Sequence, residues 1–504
     1  MSSSRILRSA FTALLLTSIA LPALAQSFRV QCPDSTTLHP APAQGGGVAA
    51  GIKCQQISGG DGYATMGDGT QTYLFSFGPL SGLADIKKGL PGTQPNSVFN
   101  TVGSPQTDPT YNGAVGLVPD PEATDANHPL TGHVDPKQIM DVGVMNGNMP
   151  APTMAIDEDD EFFLTLTNVG MIMRPDLFEQ HTVHFHGYPN ASSFYDGVPD
   201  ASVAINIGGS FTYYYLAPDA GTYFWHCHIT PPEHLQMGMV GQIYVRPRQN
   251  RVPMDGTTTL YAALMSQQAD PRTRCGTDIL CATPLPPQNT FKRVPNKSGT
   301  PTLYAYNDGD GSTAYDVEYP IQIHGFDPNF HFVGMTFNPE PFTDMKDKYF
   351  LLNGRSYPDT INQAAMHTQV ADGTEHFSQP LPTLINIPVG GKALLRISDL
   401  DVSEFQTLAS LGIPMHVIAV NARLLRDMAG NDMTYYTNSI TLGGGESIDV
   451  ILDASDVNRF PVGSTFYLYT PNLDHLSNDA ENFGGLMTEV HICNAVDPAS
   501  KVCS

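Results

Sequence analysis

Apolar and polar positions along this chain fall into short runs bounded by Gly, Pro, Asn and Asp. Val, Ile, Thr, Tyr and Phe dominate the runs and helical periodicity is scarce, so the pattern predicts β-strands joined by turns. YLFSFGPL (73 to 80) reads as a strand, and 90 to 140 as a Pro/Gly/Asp-rich insertion. The runs DEFFLTLTNVG, QHTVHFHG, GSFTYYYL, GTYFWHCHI and MVGQIYVRP follow at the spacing of a β-sandwich. A second series, from EYPIQIHGF through KALLRISDL, IPMHVIAVN and STFYLYT to LMTEVHI, predicts a second sandwich of similar size. The expected organisation is an irregular N-terminal extension (26–70), a first domain (71–247), a connector (248–315), a second domain (316–493) and a C-terminal tail (494–504). The fold class is all-β, two Greek-key sandwiches with long loops, and the halves read as copies of one domain.

Composition places this fold outside the cytoplasm. Two arginines precede the apolar run Phe11 to Leu24, and Ala23-Leu24-Ala25 closes it, the pattern of an export signal cut after Ala25. The run is too short to span a bilayer, and no later run approaches the roughly 20 apolar residues a spanning helix needs. A periplasmic or secreted protein without a membrane span is expected. The 504 residues carry 49 Asp and Glu against 25 Lys and Arg, a formal charge of −24 that argues against nucleic acid as a partner. Seven cysteines are an odd count for an exported protein. Six form short-range pairs, Cys32 with Cys54, Cys275 with Cys281 and Cys493 with Cys503, which leaves Cys227 between two histidines in FWHCHI. A lone thiol in an oxidising compartment needs a reason to persist, and metal ligation supplies one.

Histidines carry the strongest chemical signal. His181, His184 and His186 fall in HTVHFH, His226 and His228 flank Cys227, and His234 follows. Strand side chains alternate between faces, so His184 and His186 point one way and His181 the other. Likewise His226 and His228 share a face opposite Cys227. Two such strands side by side offer four imidazoles on one side, and His181 with a thiolate on the other. Two histidines, a cysteine and a distant methionine make the trigonal His₂Cys set of type 1 (blue) copper: His181, Cys227, His234 and axial Met239, with Met237 as its competitor. A structural zinc site usually shows paired CxxC spacings, which are absent.

With these residues the chain resembles the multicopper oxidases, laccases in particular. MNGNMPAPTMAIDEDDEFFLTLTN, the HFHG run, FYDGVPD, INIGGSFTYYYL, GTYFWHCH and GMVGQIYV resemble successive blocks of a cupredoxin domain of that family. KYFLLNGRSYP, LLRISDL, IPMHVIAVN and LGGGESIDVIL resemble the family's cupredoxin domain without copper. The resemblance implies two cupredoxin-like sandwiches, with His181, Cys227, His234 and Met239 as type 1 ligands. It assigns His184, His186, His226 and His228 to a type 2/type 3 copper centre that reduces O₂, fed with electrons through Cys227. Asp196, in YDGVPD, matches the family's acid near that centre.

Two features depart from the family pattern. A trinuclear centre takes eight histidines, and this chain has four in HxH form; the second-domain histidines 324, 331, 367, 376, 416, 475 and 491 form no HxH pair. A homo-oligomer, a trimer, is expected, but its neighbouring subunit cannot complete the cluster in the family's usual way; either a partner protein does so, isolated second-domain histidines build a reduced site, or there is no oxygen-reducing centre. The segment ITPPE between His228 and His234 is longer than the family's usual loop, a feature shared with copper nitrite reductases, in which His186 and His226 correspond to type 2 ligands. The expected function is an exported copper oxidoreductase that takes electrons from a phenolic, aromatic or metal-ion reductant and passes them to O₂. The alternatives are a copper nitrite reductase and an electron-transfer or copper-binding protein with type 1 copper alone.

Overall fold

A computed structural model describes residues 30–40, 51–120, 134–175, 179–187, 192–217, 219–268, 285–297, 299–334, 341–369, 375–497 and 499–504. The expected export signal and the Cys275/Cys281 pair lie outside these residues. The described residues form two β-sandwiches, as the run pattern predicts. No helix among the described residues is long and apolar enough to cross a membrane.

The first sandwich is built from β1 (Ile52–Thr65), β2 (Gln71–Pro79), β3 (Gln94–Pro95), β4 (Met154–Asp157), β5 (Glu161–Gly170), β6 (His184–His186), β7 (Ser210–Leu216), β8 (Gly221–His226) and β9 (Val240–Arg246). One sheet runs β2-β1-β5-β7 with β3 on β1; the other runs β4-β9-β8-β6. Alternating apolar positions from both sheets, among them Phe75, Phe77, Leu164, Tyr213, Phe185 and Trp225, interlock in the core between them. Gly241 makes room for the only tryptophan: a Cβ there would sit 2.4 Å from Trp225 Cε2.

The expected irregular extension at 26–70 is corrected in part. Residues 52–65 form β1, an internal strand parallel to β5 and antiparallel to β2. Its sequence, IKCQQISGGDGYAT, hides the strand because many of its buried side chains are polar. They are satisfied from a distance: the Gln56 amide donates to Thr167 and accepts from Gly116 N–H, and Asp61 accepts from Tyr73 Oη and Met173 N–H. The Cys32–Cys54 disulfide ties the preceding segment to this strand. The connector also has structure, a helix at Leu260–Gln268 and a ribbon of Leu303–Tyr304 with Ala314–Tyr315.

The second sandwich repeats the strand order of the first and adds further strands at its edges. Val317–Phe326 lies parallel to Lys392–Asp399, which pairs with Ser447–Asp453, as β1, β5 and β7 do. Ile385–Pro388, Met487–Cys493, Thr465–Tyr469 and Gln406–Leu411 follow in the order of β4, β9, β8 and β6. The β4-β9-β8-β6 sheet is bonded to the second domain. The Gln242 amide donates to the Arg396 carbonyl, Thr222 to Asp449 (2.5 Å), and Arg246 pairs with Glu318 at 2.5 Å.

Candidate metal centre

Register within the second sheet of the first domain sets the site. β6 and β8 are antiparallel with His184 opposite His226 and His186 opposite Phe224, so the three imidazoles share one face. One ligand atom from each of His184, His186 and His226 lies within 4.8 Å of the others. His226 is buried, His184 half-buried and His186 exposed. Nδ1 of His184 is 2.7 Å from the Asp196 carbonyl, and Nδ1 of His226 is 2.8 Å from the Cys227 carbonyl. Carbonyls only accept, so both Nδ1 atoms carry the proton and both Nε2 atoms keep a lone pair for a metal. Asp196 therefore acts on His184 chiefly through its backbone; its carboxylate is 3.6 Å away. His228 is half-buried, with its ring 5.6 Å from that of His226 and 5.1 Å from that of His184.

The chain leaves β8 after His226, and the side chain of Cys227 turns to the opposite side. Cys227 Sγ meets His181 and His234 there, again with ligand atoms within 4.8 Å of one another and all three residues fully buried. Nδ1 of His234 faces Sγ at 3.2 Å. Both ring nitrogens of His181 and Nε2 of His234 are buried without a hydrogen-bond partner among the described residues. Polar atoms are rarely left so, and a soft thiolate beside two orphaned imidazoles fits a copper ion. Burial disfavours the thiolate, but the charge of His234 and the closeness of the His234 and His181 rings outweigh it and hold Cys227 well below the thiol range. Burial likewise opposes the His234 cation, yet Cys227 and then Glu179 push it up to about 9.

Backbone bonds place the methionine. Cys227 N–H donates to the Met239 carbonyl (3.1 Å), and Met239 N–H to the His234 carbonyl (2.9 Å). Met239 and Met237 are both buried in the same core. Four features of this site escape the sequence. Thr182 N–H approaches Sγ at 3.5 Å, and Glu179 lies 3.6 Å from His234 Nε2. Gly59 of β1 has no Cβ because one would meet His181 Cδ2 at 2.7 Å. His324 and His331 of the second domain brace the loop from outside, with Nε2 atoms 2.9 Å from the carbonyls of Leu235 and Gln236. These partners are remote in the chain and carry no local motif.

The duplicated fold supplies a copper-free counterpart. Thr470 N–H donates to Leu486 O (2.9 Å) and Leu486 N–H to His475 O (3.0 Å), the bonds made by Cys227, Met239 and His234. Ala409 pairs with Tyr469 as His184 pairs with His226, which sets Gln406 at the place of His181. Gln406 Oε1 is 3.0 Å from His475 Nδ1, so a hydrogen bond occupies the centre of this second arrangement.

Comparison with known proteins gives a consistent picture for the first domain. The family model described as multicopper oxidase matches residues 130–250. Similar relatives include a multicopper oxidase of Talaromyces pinophilus, 34% identical over 119 residues, or 23% of this chain and 18% of the relative. Laccase abr2 of Aspergillus fumigatus is 34% identical over 21% of this chain and 17% of its own. The multicopper oxidase MmcO of Mycobacterium tuberculosis is 31% identical over 24% of this chain and 25% of its own. The chain thus spans a quarter or less of the length of these relatives. Among solved structures, the multicopper oxidase mgLAC aligns with a TM-score of 0.49 and 15% identity, over 89% of this chain and 93% of its own. Copper nitrite reductase from Nitrosomonas europaea aligns with a TM-score of 0.46 and 12% identity, over 89% and 96%.

Proposed function

We propose that this chain, which carries a multicopper oxidase domain over residues 130–250, is an exported copper-dependent oxidoreductase. It takes electrons singly from a small reductant, phenolic, aromatic or a metal ion, and delivers them to O₂. The observation that carries this reading is the place of Cys227: its side chain joins one ligand set, while His226 before it belongs to the other. Copper supplies one-electron redox chemistry to such ligand sets when bound.

The residues divide the work. His181, Cys227, His234 and Met239 would hold type 1 copper. His184, His186 and His226, flanked by His228, hold the second copper centre. The Cys227 side chain and peptide form a path of a few bonds from one to the other. Thr182 N–H on Sγ and the buried shell exclude water and fix the thiolate, and the Asp196 carbonyl holds the His184 ring in its ligating tautomer. Glu179, at the outer edge of His234, marks the side where the reductant docks.

Copper-loaded protein is expected to show an intense blue absorption and to consume O₂ with a phenolic donor, and Cys227→Ser to lose both. Blue colour surviving in that variant would refute the ligand assignment. A blue protein without O₂ uptake would be an electron carrier, and nitrite turnover in its place would make it a nitrite reductase.

A further inference from the structure

We propose that the second copper centre is mononuclear, held by His184, His186 and His226, and complete within one chain. The inference rests on the copper reading above and concerns only how many ions the histidine face takes. A trinuclear centre needs imidazoles from a second domain, and this second domain has none to give.

Three imidazoles already converge. Their ligand atoms lie within 4.8 Å of one another, and carbonyl partners on two Nδ1 atoms leave Nε2 of His184 and His226 as donors. Phe224 stacks on His186 with ring centres 4.4 Å apart and fixes its plane. Three imidazoles with Nε2 donors would suit one copper ion. His228 flanks the trio but belongs to no set of three among the described residues.

The facing surface of the same chain offers no imidazole. A cleft of about 700 Å³ separates His186 and His226 from Asp401, Ser403, Glu404 and the Gly443–Glu446 turn, with no second-domain histidine in its lining. Gly445 borders it, where a Cβ would be 3.6 Å from His186 Cε1.

A neighbouring copy offers no better. The fold equivalence places Ala409 and Leu411 where the first domain has His184 and His186. It places Tyr469 and Pro471 where the first domain has His226 and His228. The second-domain histidines hold other posts. His324 and His331 are buried against the copper loop, and His475 lies between Gln406 and Asn472. His416 bonds Thr434 and stacks on Tyr436, and His491 pairs with Glu489. His367 and His376 sit on the ribbon Met366–Gln369/Glu375–Gln379, which packs against β1. Among the described residues none of the seven joins a set of three potential ligands.

The test is copper per chain and EPR spin count on full-length copper-loaded protein of measured oligomeric state. The expected result is about two coppers per chain, both EPR-visible, one of them dependent on Cys227. His186→Ala is expected to remove the second copper and keep the blue band. His416→Gln and His491→Gln, both outside the copper loop, should leave the copper number unchanged. About four coppers per chain with an EPR-silent pair would overturn the proposal. So would a single copper, or copper lost in either second-domain variant. The blue band reads the type 1 assignment separately: four coppers with a blue band sinks only this inference, whereas no blue band sinks the functional reading.

Discussion

The carboxylate of Glu179 lies 3.6 Å from Nε2 of His234, with 26% of its side chain exposed, while the imidazole itself is fully buried. The partly exposed neighbour of this buried ring is an anionic group. A negative charge there favours the oxidised, more positive state of a metal held by His234 and attracts cationic reductants. Glu179→Gln is expected to raise the type 1 reduction potential by on the order of tens of millivolts. It should also slow oxidation of a cationic donor more than of a neutral phenol. Potentiometric titration of the blue band and paired donor kinetics measure both, and an unchanged potential would remove Glu179 from the entry point.

Gly59 tests whether β1 shapes the site. An added methyl would meet the His181 ring at 2.7 Å, and the ring is boxed in by the core. Gly59→Ala is expected to displace His181, shift or weaken the blue absorption, and destabilise the protein by about 1–3 kcal/mol through overpacking. Thermal unfolding and the optical spectrum of the copper-loaded variant report the two effects, whereas Gly69→Ala, at an exposed turn with open space, reports only backbone strain.

Acid should loosen the two domains at Glu318. Burial raises this carboxyl, but Arg246 and Arg396 outweigh burial and pull it from 4.5 to about 2. A depressed folded-state pKa contributes stability above the unfolded value, and that stability is lost as pH falls from about 4.5 towards 2. Wild type should therefore lose stability through this window. Glu318→Gln should be less stable at neutral pH and flatter below it, as denaturant midpoints across pH would reveal.

The copper-free counterpart predicts a gain of function. Gln406→His, Thr470→Cys and Leu486→Met, with His475 retained, rebuild the first-domain ligand set at equivalent positions. In a Cys227→Ser background this triple variant is expected to restore a blue absorption that depends on residue 470. Colourless copper-loaded protein, folded by circular dichroism, would mean the two arrangements match in backbone but not in side-chain direction.

Much of this was legible in the chain itself, and for a local reason. His184, Phe185 and His186, and His226, Cys227 and His228, are neighbours in sequence, and strand alternation alone sends Cys227 one way and His226 the other. The strand-rich all-β class and the odd cysteine came from composition and counting. Copper itself followed from ligand type, since softness and preferred geometry belong to the side chains.

Tertiary structure decided what depends on distant partners. β1 is polar in sequence and internal in the fold because Gln56 and Asp61 find partners from residues far along the chain. Gly59, Glu179, His324 and His331 take their meaning from contacts across sheets and domains, which no spacing encodes. The sequence by itself singled out the residues of the two candidate ligand sets, and the structure left His228 at the edge of the second. Only the packing of the second domain decided what faces them: a carboxylate-lined cleft and histidines already bonded elsewhere, because long-range burial assigns each polar group its partner.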